Sequence, residues 1–189
     1  MDSRAEIDAA FTSQNPIDRD QFLVWLETAN DLPTLAKLYR LHGAHYYRIQ
    51  PDLGKEASCL LILRYLLECI RQDVQDHDEI DSRWDAARVL HIWLRQLHES
   101  GDASDVIVRA ARAITDLFLT SGEEIRLAIE QGFLEHALET VALRPYFEHW
   151  SHDERLQQTW KSAIEWADDH PDWSWNLHKG FLKKIPQEK

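Results

Sequence analysis

The sequence is poor in cysteine, proline, glycine and basic residues. Its 189 residues include two Cys, six Pro and six Gly, and so few chain breakers predict ordered structure outside the two ends. The 33 acidic residues outnumber the 21 basic residues and give a formal net charge of −12. A surface of this charge repels phosphate, which disfavours nonspecific nucleic-acid binding. The acidic excess suits a basic partner, or it only keeps the chain in solution.

Disulfides, a leader segment and a membrane span are also not predicted. Cys59 and Cys69 lie ten residues apart in a predicted helix, which separates them by about 15 Å, too far for a bridge. We expect buried, reduced thiols in a cytoplasmic protein. The N-terminus lacks the basic and apolar regions of a signal peptide. The longest apolar run, 59–70, is interrupted by Arg64 and Glu68 and is shorter than the roughly 20 residues that span a membrane.

Helical periodicity is present where strand patterns are missing. We expect about eight to ten helices with short connections and antiparallel neighbours. Asn15 is predicted to cap one helix, and Gly101 to end another in a left-handed conformation. One stripe at helical spacing comprises Ala86, Val89, Leu90, Trp93 and Leu97. The prediction is a single all-α domain, 1–189, with about ten N-terminal and about six C-terminal residues frayed.

A more specific pattern covers residues 105–143. An Ala-rich helix ending at Leu117 is followed by a turn with Gly122, a short helix, Gly132 and a Leu-rich helix. This pattern resembles one armadillo repeat. The resemblance implies a right-handed stack of antiparallel helices, either a short armadillo/HEAT-like solenoid or an irregular helical bundle. It also implies a sharp turn at Gly132, in a conformation that a side chain would strain.

The resemblance also points to one candidate binding residue. Armadillo proteins that bind extended peptides often hold the ligand backbone with an Asn of the third helix. The matching position in "ITDL" is Asp116. Ionised Asp accepts hydrogen bonds but cannot donate them. The family's mode of holding peptides is therefore not implied here, and Asp116 favours a basic ligand instead.

An acidic linker, 72–83, offers further candidates for a basic partner. It is not an EF-hand loop, because the Gly at the sixth loop position and the Glu at the twelfth are missing. The alternative is a solvated loop without a partner. The linker residues proposed to contact a partner are Asp76, Asp78, Glu79 and Asp81.

Histidine pairs raise the question of a metal site. Two pairs have the i, i+3 spacing that can begin one: His42 with His45, and His149 with His152. Neither pair has an obvious third ligand, so buried or rim histidines are the alternative. His77-Asp78 is the dyad of HD phosphohydrolases, but its flanks are charged rather than apolar. With no nucleophile motif or Gly-rich phosphate loop in sight, we expect no catalytic residue, metal or cofactor.

Tryptophan is concentrated near the C-terminus, where five of the eight residues fall between 150 and 175. Trp160 lies on an apolar helical face and is predicted to be core. Ser151 and Glu154 have capping-box spacing. We expect the preceding Trp150 to lie over the guanidinium of Arg155.

Trp173 and Trp175 follow Pro171 and leave two alternatives open. The segment folds back and caps the open end of the helix stack, or both indoles stay partly exposed as anchors for a partner. The first functional expectation is a non-catalytic protein–protein interaction protein of the adaptor or scaffold type. The alternatives are an acidic immunity or inhibitor protein that binds a basic toxin or nuclease, and a metal-dependent hydrolase that uses clustered His and Asp. The expected partner is a protein, not nucleic acid or membrane, and the oligomeric state is left open.

Overall fold

The computed structural model describes residues 3–74, 80–101 and 104–173. The fold is all-α, as predicted, and the described residues contain one pair of two-residue strands. The chain divides into two compact units, Met1–Ala86 and Ala87–Lys189. The single domain expected for the whole chain stays a prediction.

The N-terminal unit contains four complete helices. They are α1 (Ser3–Thr12), α2 (Arg19–Thr28), α3 (Leu32–His45) and α4 (Lys55–Gln72), with a 3-10 turn at Tyr46–Arg48. Helix α1 lies within the stretch expected to fray, and its Ile7 is fully buried. The two strands, β1 (Ile17–Asp18) and β2 (Ile49–Gln50), pair in parallel.

The predicted cap of the second helix is wrong by three residues. Asp18, not Asn15, is the N-cap of α2, and its carboxylate accepts a 3.0 Å hydrogen bond from the backbone N–H of Gln21. Asn15 instead presents its backbone carbonyl to the buried Arg48 guanidinium. Because Ile17 pairs with Ile49, the backbone is extended where the sequence predicted the first helical turn.

The acidic linker connects α4 to α5 (Arg83–Glu99). Asp73 ends α4 in a left-handed conformation. Arg83 lies at the other end and is buried, with its Nε donating to the carbonyl of Ile70 at 2.8 Å. The two ends of the linker are therefore tied together. Gly101 follows α5 with a φ of 79°, which confirms its predicted left-handed conformation.

The C-terminal unit begins within α5 and is also helical. Its further elements are α6 (Ser104–Thr120), α7 (Glu123–Leu127), a π-helical segment (Ala128–Leu134), α8 (Glu135–Glu139), α9 (Arg144–Phe147) and α10 (Gln157–Asp169). Short 3-10 turns occupy Val141–Leu143 and Glu148–His152. Trp150, Phe133 and Phe147 are fully buried in the core of this unit.

The expected turn at Gly132 is wrong. Residues 123–139 are continuously helical, and Gly132 is a buried residue inside the π-helical segment. Among the described glycines, a positive φ occurs at Gly54 and Gly101. The extra residue of a wider helical turn therefore takes the place of the break that the repeat pattern implied.

The predicted start of the last helix is also wrong. Ser151 lies in the 3-10 turn and donates to the carbonyl of Glu148, while α10 begins six residues later at Gln157. Trp150 does not lie over Arg155. Its indole N–H donates to the Thr115 hydroxyl at 2.7 Å, and Arg155 pairs with Asp153 at 2.7 Å.

Further outcomes concern burial and the membrane. Cys59 and Cys69 are free and buried, as predicted. Burial raises the pKa of the Cys69 thiol to about 12. Trp160 is only partly buried, although Leu156 and Ala163 on its predicted face are buried. Among the helices of the described ranges, none has the length and apolar character needed to traverse a bilayer.

Candidate functional site

Aromatic rings from three segments of the C-terminal unit converge on one group, here named the His–Trp cluster. Its members are His91 of α5, His136 of α8, Trp166 of α10, and His170 and Trp173 just after α10. The centroid of the His136 ring lies 4.9 Å from Trp166, 5.3 Å from His91 and 5.8 Å from Trp173. His136 is therefore the centre of the cluster.

Trp166 is held from several sides. Its ring stacks on His170 at 4.4 Å, with an interplanar angle of 14°. Trp173 meets the same ring edge to face at 5.9 Å. Offset and perpendicular contacts of this kind are favourable because the ring edge is positive and the face is negative. These contacts fix the orientation of both indoles.

Hydrogen bonds orient the two outer imidazoles. His136 Nδ1 lies 2.8 Å from Oε1 of the buried Glu139. His170 Nδ1 lies 2.8 Å from the backbone carbonyl of Trp166, four residues earlier. Because each ring has a fixed polar partner, the aromatic faces presented to the two tryptophans are preorganised.

Trp173 is the exposed member of the cluster. It retains 48% of its surface in contact with solvent, although one side stacks on His136 at an angle of 19°. The neighbouring Asp172 pairs with Arg95 at 2.7 Å, and the Trp173 backbone N–H donates to the carbonyl of His170. These contacts fix the position of an indole whose other side is open to solvent.

Two carboxylates lie on the same element as His136. The backbone N–H of Glu135 donates to the carbonyl of Glu130, the i to i+5 bond of a π turn. That turn places the two residues near one another on one side of the helix. An ordinary α-helical turn would separate them by roughly 140° around the axis.

Both carboxyls are electrostatically perturbed. Burial raises the pKa of Glu130 and, as the largest cause, that of Glu135. For Glu135 the nearby Glu130 charge acts in the same direction, whereas His136 and His170 oppose it. In the described part of the chain, neither carboxylate forms an ion pair with Lys or Arg. Perturbed groups of this kind are concentrated at functional sites.

The predicted partner-binding residues are dispersed. Trp173 belongs to the His–Trp cluster, and Asp116 is an exposed residue of α6. Asp81 is engaged within the N-terminal unit, where its carboxylate accepts a 2.9 Å hydrogen bond from the Tyr65 hydroxyl. The remaining proposed residues lie outside the described ranges: Asp76, Asp78, Glu79 and Trp175.

The predicted histidine pairs do not converge on shared partners. His42 Nε2 lies 2.9 Å from the Ser58 hydroxyl, whereas the His45 ring lies against Tyr47. Burial lowers the pKa of His42. His149 lies 2.9 Å from the Thr115 hydroxyl, and its pKa is also lowered, chiefly by burial. The described ranges contain no group of three or more His, Cys, Asp or Glu arranged to hold a metal ion.

Three histidines of the His–Trp cluster were not singled out by the sequence. His91 lies on the buried face of α5 with Leu90 and Leu94, while Trp93 of the predicted stripe is only partly buried. Histidine carries little weight in an apolar pattern, so the face was placed wrongly. The i, i+4 spacing of Trp166 and His170 was the available local signal.

Comparisons with protein-family models, curated proteins and solved structures gave no match to this chain.

Proposed function

We propose that this chain is a non-catalytic protein-binding protein and that the exposed side of Trp173 is part of its binding surface. The supporting observation is the combination of exposure and immobility at this residue. A tryptophan that is 48% exposed but held by His136 and Trp166 loses little conformational freedom on binding. Tryptophan is also the residue type most enriched among interface hot spots.

The helical architecture supports an adaptor or scaffold role. In a helical-repeat protein, successive helices present an extended surface to other proteins. The packed helices of both units are compatible with such an arrangement, and the armadillo/HEAT-like assignment belongs to this proposal. The step from fold to function is an analogy, whereas Trp173 supplies a specific contact.

The net charge favours a second, narrower candidate. A protein with a formal charge of −12 attracts basic proteins from a distance and accelerates their association. An immunity or inhibitor protein that blocks a basic toxin or nuclease uses this property. Such a protein forms a one-to-one complex with a single basic partner, whereas an adaptor retains several proteins.

The test compares two tryptophans of equal exposure. Trp173 is 48% exposed, and Trp84, at the start of α5 in the other unit, is 47% exposed. The tagged full chain and its Trp173→Ala and Trp84→Ala variants are used to capture proteins from native lysate, followed by mass spectrometry. We expect a protein that is retained by the wild type and Trp84→Ala but lost by Trp173→Ala. Equal capture by all three chains would refute the proposed surface.

Unfolding of the variant is excluded by measurement. Thermal melts followed by circular dichroism should show similar midpoints for Trp173→Ala and Trp84→Ala, because neither side chain is a core residue. Trp173→Phe keeps an aromatic ring and should restore part of the capture. The composition of the retained fraction then separates a single basic partner from several proteins.

A further inference from the structure

We infer that the surface formed by Trp173, Glu130 and Glu135 recognises an arginine side chain of a basic protein partner. This inference rests on the proposed function and specifies the chemistry of the partner. It combines two independent features of the C-terminal unit, an immobilised indole open to solvent and a carboxylate pair aligned by the π turn.

The carboxylate pair supplies the charge complementarity. Glu130 and Glu135 are partly removed from water, and Glu135 is further destabilised as an anion by the Glu130 charge. Neither is paired with Lys or Arg in the described ranges. A cation placed beside both carboxylates relieves this repulsion and replaces some of the lost hydration.

The cluster places this charge close to aromatic surface. Glu135 interacts electrostatically with His136 and His170. These two imidazoles contact the indoles of Trp173 and Trp166, respectively. An approaching cation therefore meets both carboxylates and an indole face, which attracts positive charge through its quadrupole.

Arginine fits this combination better than lysine. Its planar guanidinium binds carboxylates with two parallel hydrogen bonds and also stacks on an aromatic ring. The lysine ammonium is compact and strongly hydrated, so it offers no flat surface to the indole. The proposed occupant is therefore an arginine in a basic segment of the partner protein.

The experiment titrates the folded full chain with two synthetic peptides of equal length and charge, one containing arginine and the other lysine. Binding is followed at about 0.15 M ionic strength by nitrogen–proton NMR, using the indole signals of Trp166 and Trp173 and the amides of Glu130 and Glu135. We expect the arginine peptide to shift these signals and to bind more tightly than the lysine peptide. Equal affinities would refute the assignment to guanidinium.

Matched double variants separate this surface from general acidity. Glu130→Gln/Glu135→Gln and Glu148→Gln/Glu154→Gln remove the same charge, and the second pair is exposed elsewhere in the same unit. We expect the first variant to weaken arginine-peptide binding about tenfold or more, and the second less than about twofold. Equal weakening by both variants would refute the inference.

The design distinguishes this inference from the proposed function. Neutral Gln avoids the cost of a partly buried charge, so the melting temperature of Glu130→Gln/Glu135→Gln should not fall. A loss of binding then reports recognition and not unfolding. If Trp173→Ala loses the captured partner while Glu130→Gln/Glu135→Gln retains it, the proposed function stands and the arginine site is refuted.

Discussion

Arg83 donates a hydrogen bond from Nε to the backbone carbonyl of Ile70 at 2.8 Å. Its guanidinium also lies 3.6 Å from the carboxylate of Asp73, and its backbone N–H donates to the same carboxylate. One buried side chain thus satisfies the C-terminal end of α4 and closes the acidic linker. A linker with this many acidic residues is held together at its base by a single cation.

We predict that Arg83→Met lowers the free energy of unfolding by about 2–3 kcal/mol, because it leaves a buried carbonyl and a carboxylate without this donor. Arg109→Met is the control, since Arg109 is half exposed and pairs with Asp105 at 3.4 Å. The control should cost less than about 0.5 kcal/mol. Urea denaturation measures both, and equal losses would contradict the role of Arg83.

The hydroxyl of Thr115 is the hydrogen-bond acceptor for the fully buried Trp150 indole. Thr115→Val keeps the shape but leaves the indole N–H unsatisfied, and we expect it to cost about 1–3 kcal/mol. Thr120→Val removes an exposed hydroxyl that bonds only to a backbone carbonyl of its own helix and should change stability by less than about 0.5 kcal/mol. Thermal unfolding compares the two, and a neutral Thr115→Val would show that this bond contributes nothing.

Two glycines should respond in opposite directions to alanine. Gly101 has a φ of 79°, where an alanine is strained even though a Cβ would meet no atom within 4 Å. Gly101→Ala should therefore destabilise by about 1 kcal/mol or more. Gly43 lies inside α3 and has the same open surroundings, so Gly43→Ala should stabilise by about 0.5–1 kcal/mol. Chemical denaturation gives both signs, and shifts in the same direction would contradict the prediction.

Stability should also depend on pH through Glu130 and Glu135. Burial raises the pKa of both carboxyls in the folded chain, so the folded state binds protons more tightly than the unfolded state. Their contribution to the free energy of unfolding is fully present below the unfolded pKa and is lost as the pH rises through the folded pKa. Relative to the wild type, Glu130→Gln/Glu135→Gln should gain stability as the pH increases across this window. Denaturation between pH 4 and about 7 measures the difference, and parallel curves would contradict it.

The sequence predicted the helices well because apolar periodicity and chain breakers are local signals. Gly101 is one example, since a left-handed residue after a helix needs only its own backbone freedom. The errors occurred where a distant contact overrides a local signal. The pairing of Ile17 with Ile49 extends the chain beyond Asn15, and burial of Trp150 against Thr115 fixes the segment that contains Ser151.

The candidate site could be predicted only in part. Trp173 was recognised because tryptophan is rare and amphipathic, but its support by His136 depends on packing between segments that are distant in sequence. The alignment of Glu130 with Glu135 was not predictable from α-helical spacing, because that geometry places them on different faces. The Gly132 position carried the local signal, but the armadillo-like pattern suggested a break instead of a wider turn.

The π-helical segment makes the chain sensitive to a change of length at this place. Removing one residue between Ala128 and Leu134 would restore ordinary α-helical pairing, so the backbone itself could absorb the deletion. Everything that follows, including His136 and Glu139, would then be turned by about 100° relative to the preceding helix. A deletion that costs the helix almost nothing would thus dismantle the His–Trp cluster, whereas many larger side-chain replacements in the same stretch would leave it in register.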